Sequence, residues 1–243
     1  MQTSGYTKRT NLDVGSLEPT RPLYYEDSYS QEFKASVLGK FESEGKIGLV
    51  LDRTAFYPEG GGQPGDLGLL QPKPDQKIPV SNTFQVNGVI THVIDKKYET
   101  LLEEGSEITG RIDWPRRYAI MKNHTASHIV FSAFRRILNF ENLRYMGSQL
   151  GVEKSRIDIN YPQAIDHDTL VSVESAVNGV YQEGRKVTGR YEEREAAEKK
   201  SGSSLGLTEV TPTGKIRIIE VDGWDVAACC GTHVSSTAEI SPV

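Results

Sequence analysis

Hydrophobic and polar positions change period once along the chain, near Trp114. Before it, short apolar runs are broken by glycine, proline and asparagine; after it, apolar residues recur at helical spacing. Between residues 21 and 112, the runs Phe33–Val37, Ile47–Leu51, Thr83–Val86, Val89–Ile94 and Glu107–Ile112 predict strands, with Asn87-Gly88 as a tight turn. Regular short strands punctuated in this way predict a small β-barrel. The densest punctuation, Phe56–Asp66, lies between the second and third regions of strand. Pro115 suits the first turn of a helix. Tyr118, Met121, Ala126, Ile129, Phe134 and Ile137 carry that helix to about Leu138. Leu143–Asn160 predicts two strands around Gly151, and Asp168–Gln182 a second amphipathic helix. Tyr191–Lys200 reads as a charged helical segment followed by a Ser/Gly loop, and Ile216–Val221 as a strand. The expected fold class is α+β. A polar extension (1–20) precedes an N-terminal small β-barrel with a Gly-rich loop (21–112) and a C-terminal α/β two-layer sandwich (113–243).

The 243 residues suffice for one large domain or two small ones, and 37% hydrophobic with 25% charged residues is ordinary for a globular protein. No apolar run approaches the roughly 18 residues of a membrane span, and the first 20 residues lack the apolar core of a secretory signal. No membrane partner is expected. The two cysteines, Cys229 and Cys230, are adjacent, so no disulfide framework exists and a reducing cytoplasm is the expected compartment. A net charge of −5 argues against non-specific coating of nucleic acid. It leaves room for a local basic patch, which Arg111, Arg116, Arg117 and Lys122 offer, with Arg135, Arg136, Arg185, Lys186, Lys199 and Lys200 further on, although most such charges are simply solvated surface.

Candidate chemistry gathers in two places. His124 and His128 are four residues apart on the long helix, so both imidazoles point the same way and can bite one metal ion. Cys229 and His233 repeat that spacing a hundred residues later. One thiolate and three imidazoles suit zinc. Thr125 stands where a metalloprotease HExxH motif needs its glutamate, which argues against that chemistry. The residues alone leave two readings open: a chance helical pair beside a buried cysteine, or a shared metal site. Gly60, Gly62 and Gly65 satisfy GxGxxG, yet Pro64 follows at once and no helix opens there, so a dinucleotide site is rejected. Adjacent glycines do let backbone approach another surface with free amides. His92 reads as a strand residue and His167 as part of a polar loop; Cys230 stays unassigned.

Taken together, several ordered motifs resemble the editing domain of alanyl-tRNA synthetases and the free-standing alanyl-tRNA editing proteins of medium length. They are Thr54-Ala55-Phe56-Tyr57-Pro58-Glu59-Gly60-Gly61-Gly62-Gln63-Pro64-Gly65-Asp66, the pair His124/His128, Gly147-Ser148-Gln149 with Arg156-Ile157-Asp158, and Asp225 through Val234. The resemblance runs from about residue 21 onward. It departs at Cys230, where the family usually has glycine, and the chain stops sooner than expected after Ile240. The resemblance implies a Zn2+ site of His124, His128, Cys229 and His233; four protein ligands would close the shell, so a reactive site needs a fifth position or one loose ligand, for which His233 is the candidate. It implies trans hydrolysis of the ester joining serine or glycine to the acceptor end of alanine tRNA, with Ala-tRNA spared. Thr54 and Gln149 would meet the serine hydroxyl, beside Gly61 and Gly62. Zinc would either acidify an attacking water or hold the substrate, and no residue suggests itself as a general base. Two other classes compete: a zinc-stabilised tRNA-binding module without hydrolysis, and a zinc hydrolase of small esters or amides.

Overall fold

The structure, a computed structural model, describes residues 17–43, 45–140, 142–201, 205 and 213–242. Most of the polar extension, and most of the Ser/Gly loop after Lys200, lie outside the described residues. The fold is mixed α/β and divides into two compact units, Met1–Gly60 with Pro64–Arg117, and Gly61–Gln63 with Tyr118–Val243. Among the described residues no helix is long and apolar enough to cross a membrane.

Among its described residues the first unit contains nine strands: β1 (Arg21–Pro22), β2 (Glu32–Ser43), β3 (Lys46–Leu51), β4 (Arg53–Thr54), β5 (Gly68–Gln71), β6 (Ile78–Val80), β7 (Asn82–Val86), β8 (Val89–Asp95) and β9 (Glu107–Ile112). Seven of them form an antiparallel sheet in the order β6-β5-β9-β2-β3-β8-β7. Its two edge strands, β6 and β7, are consecutive in sequence with Ser81 alone between them. A flat sheet of seven strands would be about 29 Å wide, at about 4.8 Å per neighbour, which one residue cannot span. The sheet therefore curls into a nearly closed barrel, and Ser81 N–H donates to Val93 O at 2.8 Å. Asn87 and Gly88 both take positive φ, 49° and 86°, making the two-residue turn between β7 and β8 that their sequence predicts. Ile47, Leu49 and Leu51 of β3 point inward with Leu70, Ile78, Ile94 and Ile108. Burying each such side chain contributes roughly 1.5–3 kcal/mol.

Helix α1 (Trp114–Ile137) starts in this unit, where Asp113 Oδ1 accepts from Arg116 N–H at 3.2 Å. The fold takes Arg117 out of the basic stretch offered by the sequence. Arg117 is only 1% exposed: its Nε donates to Asp66 Oδ1 at 3.0 Å, and one Nη donates to Asp66 Oδ2 and to Ala55 O. Asp66 Oδ2 also accepts from Tyr57 N–H at 2.7 Å, so this ion pair clasps the two ends of the Gly-rich loop. Arg117 is thus a core residue, because its partner lies 51 positions upstream where a charge count along the chain cannot see it.

The second unit continues α1 and adds β10 (Tyr145–Gln149), β11 (Arg156–Ile159), α2 (His167–Glu183), β12 (Val187–Glu193), α3 (Arg194–Ser201), β13 (Lys215–Val221) and β14 (Asp225–Ala228). β10 and β11 form a hairpin; β12, β13 and β14 form an antiparallel sheet. Ala197 of α3 packs with Ile216 and Ile218 of that sheet, giving a helical layer over a β layer. Helix α2 opens with Asp166 Oδ1 accepting from Thr169 N–H at 2.7 Å and ends at Gly184, φ 64°. His167, expected in a loop, is therefore the first helical residue, because Asp166 supplies the cap. The segment expected as a helix over Tyr191–Lys200 starts as strand: Tyr191, Glu192 and Glu193 pair with Arg217, Ile216 and Lys215, and α3 begins only at Arg194. Pairing with a neighbouring strand overrides the local charge pattern there.

Candidate metal centre

His124 and His128 lie one turn apart on α1, with ring centroids 5.5 Å apart. The β13–β14 hairpin turns at Gly223, φ 62°, and sends the chain back so that residues 229–233 reach the same helix face. Arg217 pins that stretch: its Nη1 donates to the carbonyls of Cys229 and Gly231 at 3.0 and 2.7 Å, while its own carbonyl accepts from Cys229 N–H at 3.1 Å. A Cβ at Gly231 would stand 2.0 Å from His124 Cε1, so only glycine fits beneath that ring.

Ligand atoms of His124, His128, Cys229 and His233 lie within 4.8 Å of one another. Cys229 Sγ is 3.3 Å from His124 Nε2 and 3.4 Å from His233 Nε2. Tetrahedral zinc with bonds of about 2.3 Å to sulfur and 2.0–2.1 Å to nitrogen sets its donors about 3.3–3.6 Å apart. The donor types and these two separations fit such an ion. Each imidazole also has an outer partner on Nδ1: Gln63 Oε1 at 2.9 Å for His124, Asp225 Oδ2 at 3.1 Å for His128, and Thr125 Oγ1 at 3.1 Å for His233. Such partners orient a ligating ring and select its tautomer. Gln63 and Asp225 stand inside the recognised motifs, but their spacing from the histidines carries no sign of the contact.

Burial alone would raise the Cys229 thiol; the imidazoles of His124 and His233, with hydrogen bonds from His124 and His128, outweigh it and hold the thiol well below its usual value. Burial, then His124, pushes His233 down to about 3, so its ring is neutral. Burial also opposes charge on His128, but the Asp225 carboxylate and the Cys229 thiolate prevail and raise it to about 10. The cluster thus brings a thiolate and three imidazoles to donor distance, and because His128 holds a proton while no ion is bound, a metal must displace that proton to use its ring. Cys230 is exposed and is not one of the four; its Sγ lies over Gly61, 3.3 Å from where a Cβ would stand.

The remaining site candidates sit apart in kind. Gly61 and Gly62 belong to the second unit with φ of 59° and 82°, and Gly62 O accepts from Leu150 N–H at 2.9 Å. Gln149 ends β10 and is exposed. Thr54, in the first unit, is fully buried. Its Oγ1 accepts from Phe56 N–H at 3.1 Å and lies 2.8 Å from His92 Nε2. His92 Nδ1 lies 3.1 Å from Leu49 O, which can only accept, so the ring proton is on Nδ1 and Thr54 donates to Nε2. His92 was expected only as a strand residue; it is one, and it also orients Thr54.

Comparison with known proteins finds relatives among the tRNA synthetases. Residues 6–116 match the family described as tRNA synthetases class II (A), and residues 216–243 match the threonyl and alanyl tRNA synthetase second additional domain. The alanine–tRNA ligase of Sulfurisphaera tokodaii is 39% identical over 225 residues, 93% of this chain and 24% of the ligase. That of Thermococcus kodakarensis is 40% identical over 230 residues, 95% of this chain and 24% of the ligase. The chain is a relative of the alanine–tRNA ligases. It spans about a quarter of the length of the curated relatives it matches. The similarity to the alanine–tRNA ligases covers nearly the whole chain; Cys229 and His233 fall within the matched residues 216–243, while His124 and His128 lie between the two family-model matches.

Proposed function

We propose that this chain is an aminoacyl-tRNA deacylase that hydrolyses the ester of serine or glycine with alanine tRNA and spares Ala-tRNA. The observation that carries the reading is the convergence of four metal-ligand atoms within 4.8 Å in a relative of the alanine–tRNA ligases. Action in trans, as a free-standing editing protein, rests on the motif resemblance alone. So does the division into a barrel domain over residues 21–112 and a metal-bearing domain over 113–243. Zinc held by His124, His128, Cys229 and His233 would supply a Lewis acid able to lower the pKa of water near an ester.

An alanine site cannot exclude glycine by size and rejects serine weakly, so a second hydrolytic site is the chemical remedy. Discrimination against alanine falls to Thr54 in this proposal. Its single proton goes to His92 and one lone pair to Phe56 N–H, leaving one lone pair. A serine hydroxyl would therefore bind Thr54 as a donor, and the seryl side chain must gain access to an atom enclosed in the free protein. Gln149, exposed on β10, and the backbone amides of Gly61 and Gly62 are the further substrate contacts of this reading. A pocket built for such a bond rejects an analogue without it by about 10⁴-fold or more.

The test is deacylation of Ser-tRNA and Ala-tRNA, both on alanine tRNA, by the zinc-loaded protein. Release of serine with alanine retained is expected, and Thr54→Val should erode that ratio. Failure to cleave either ester with zinc bound would refute the reading. The four protein donors also favour a second reading, a closed structural metal in a tRNA-binding module. Chelation separates the two: turnover lost with the fold intact favours the deacylase, and unfolding favours the module.

A further inference from the structure

We propose that Gln63 is the positioning residue that turns His124 into a metal ligand, and that the glycines before it serve to seat it there. The inference rests on the metal reading above and names what the Gly-rich loop contributes to it.

The hydrogen bonds leave one assignment. Thr232 N–H meets the Gln63 side chain at 3.0 Å and can only donate, so the atom it meets is the carbonyl oxygen, Oε1. The same oxygen faces His124 Nδ1 at 2.9 Å and can only accept. His124 therefore carries a proton on Nδ1, which leaves Nε2, 3.3 Å from Cys229 Sγ, as the ring atom that can face a metal. Gln63 Nε2 donates to Thr232 Oγ1 at 2.9 Å, which fixes the amide from its other end. Both lone pairs of Oε1 are spent and the residue is 1% exposed. Gln63 thus acts through His124 rather than on a substrate.

The glycines explain how a buried glutamine reaches that place. Gly61 and Gly62 take φ of 59° and 82°, which L side chains rarely adopt. A Cβ at Gly62 would stand 2.2 Å from Ser148 Oγ and 2.7 Å from Ser148 O. A Cβ at Gly231 would crowd Gln63 Oε1 at 2.9 Å as well as the His124 ring. The loop lies flat between β10 and residues 229–233 of its own unit, with Gln63 at its end. Nδ1–H held by an acceptor is the outer arrangement that raises the basicity of a ligating imidazole.

The test measures Zn2+ affinity of the full chain by competition with a chromophoric chelator, for the parent, Gln63→Leu and Gln63→Glu. The leucine variant should bind about 10–100-fold more weakly, the loss typical of removing an outer partner. The glutamate variant, which can accept from both His124 Nδ1 and Thr232 N, should restore affinity to near the parent's. Long-range 1H–15N NMR should find the His124 proton on Nδ1. Equal affinity of a folded leucine variant, no rescue by glutamate, or a proton on Nε2 would each overturn the proposal while leaving the metal reading intact. No Zn2+ binding by the parent would sink both. If Gln63→Leu does not fold, the glutamate variant and the tautomer decide.

Discussion

Acidification should destabilise the barrel through a single buried imidazole. His92 is fully buried, and burial, offset in part by its bond to Leu49 O, holds it down at about 4 from an ordinary 6.5. Well above pH 6.5 the ring is neutral in both states and contributes no pH dependence. Between 6.5 and about 4 the unfolded chain binds a proton that the folded barrel refuses, so stability falls as pH falls. Below about 4 both states are charged and the loss is complete. At 1.36 kcal/mol per pKa unit the full loss is roughly 3 kcal/mol, and about 2 kcal/mol of it is expressed between pH 7 and pH 5. The assay is urea unfolding of metal-free protein at those two pH values, for the parent and for His92→Gln. Glutamine can serve Leu49 and Thr54 without titrating, and all other groups cancel in the difference. The parent should lose about 2 kcal/mol more than the variant on going to pH 5. Parallel behaviour of the two proteins would show that His92 is protonated in the fold, and the hydroxyl orientation deduced for Thr54 would fall with it.

Other consequences can be measured separately. Asp66→Ala strands the Arg117 guanidinium in the core and should cost about 3–5 kcal/mol in thermal or urea unfolding; a loss under 1 kcal/mol would refute its role as a buried clasp. Gly62→Ala should destabilise the second unit by more than about 1 kcal/mol. By contrast, Gly179→Ala, in α2 with nothing within 4 Å of the added Cβ, should stabilise it by about 0.8–1 kcal/mol. Asp225→Asn weakens the outer bond to His128 and should lower Zn2+ affinity by about 10–100-fold in chelator competition.

Much of the site was legible because one feature, residues four apart, survives translation from sequence to helix. His124 and His128 sit where that spacing puts them, on an uninterrupted α1. The barrel was legible from β-branched runs and from Asn87-Gly88, whose turn chemistry is local. What escaped was set by partners distant in sequence. Gln63 meets Thr232 across 169 positions, and His128 meets Asp225 across 97. Tyr191 to Glu193 became strand because β13 was there to pair with them. The alternation around His92 marked a strand correctly, but Leu49 and Thr54 on either side of its ring belong to other strands.

The two halves of the candidate metal centre have a bearing on the order in which the molecule can be finished. A ribosome making this chain releases His124 and His128 long before Cys229, and the four-donor cluster does not exist until residue 233 has been added. Any ion meeting the growing chain earlier finds two imidazoles and no thiolate. Once all four donors close on one ion, they tie together points 101 residues apart, from 128 to 229. A covalent link closing a loop of that length would remove about 4–5 kcal/mol of chain entropy from the denatured ensemble. A metal at this place would therefore work as a late-fitted staple, restraining the unfolded chain as well as serving the folded one.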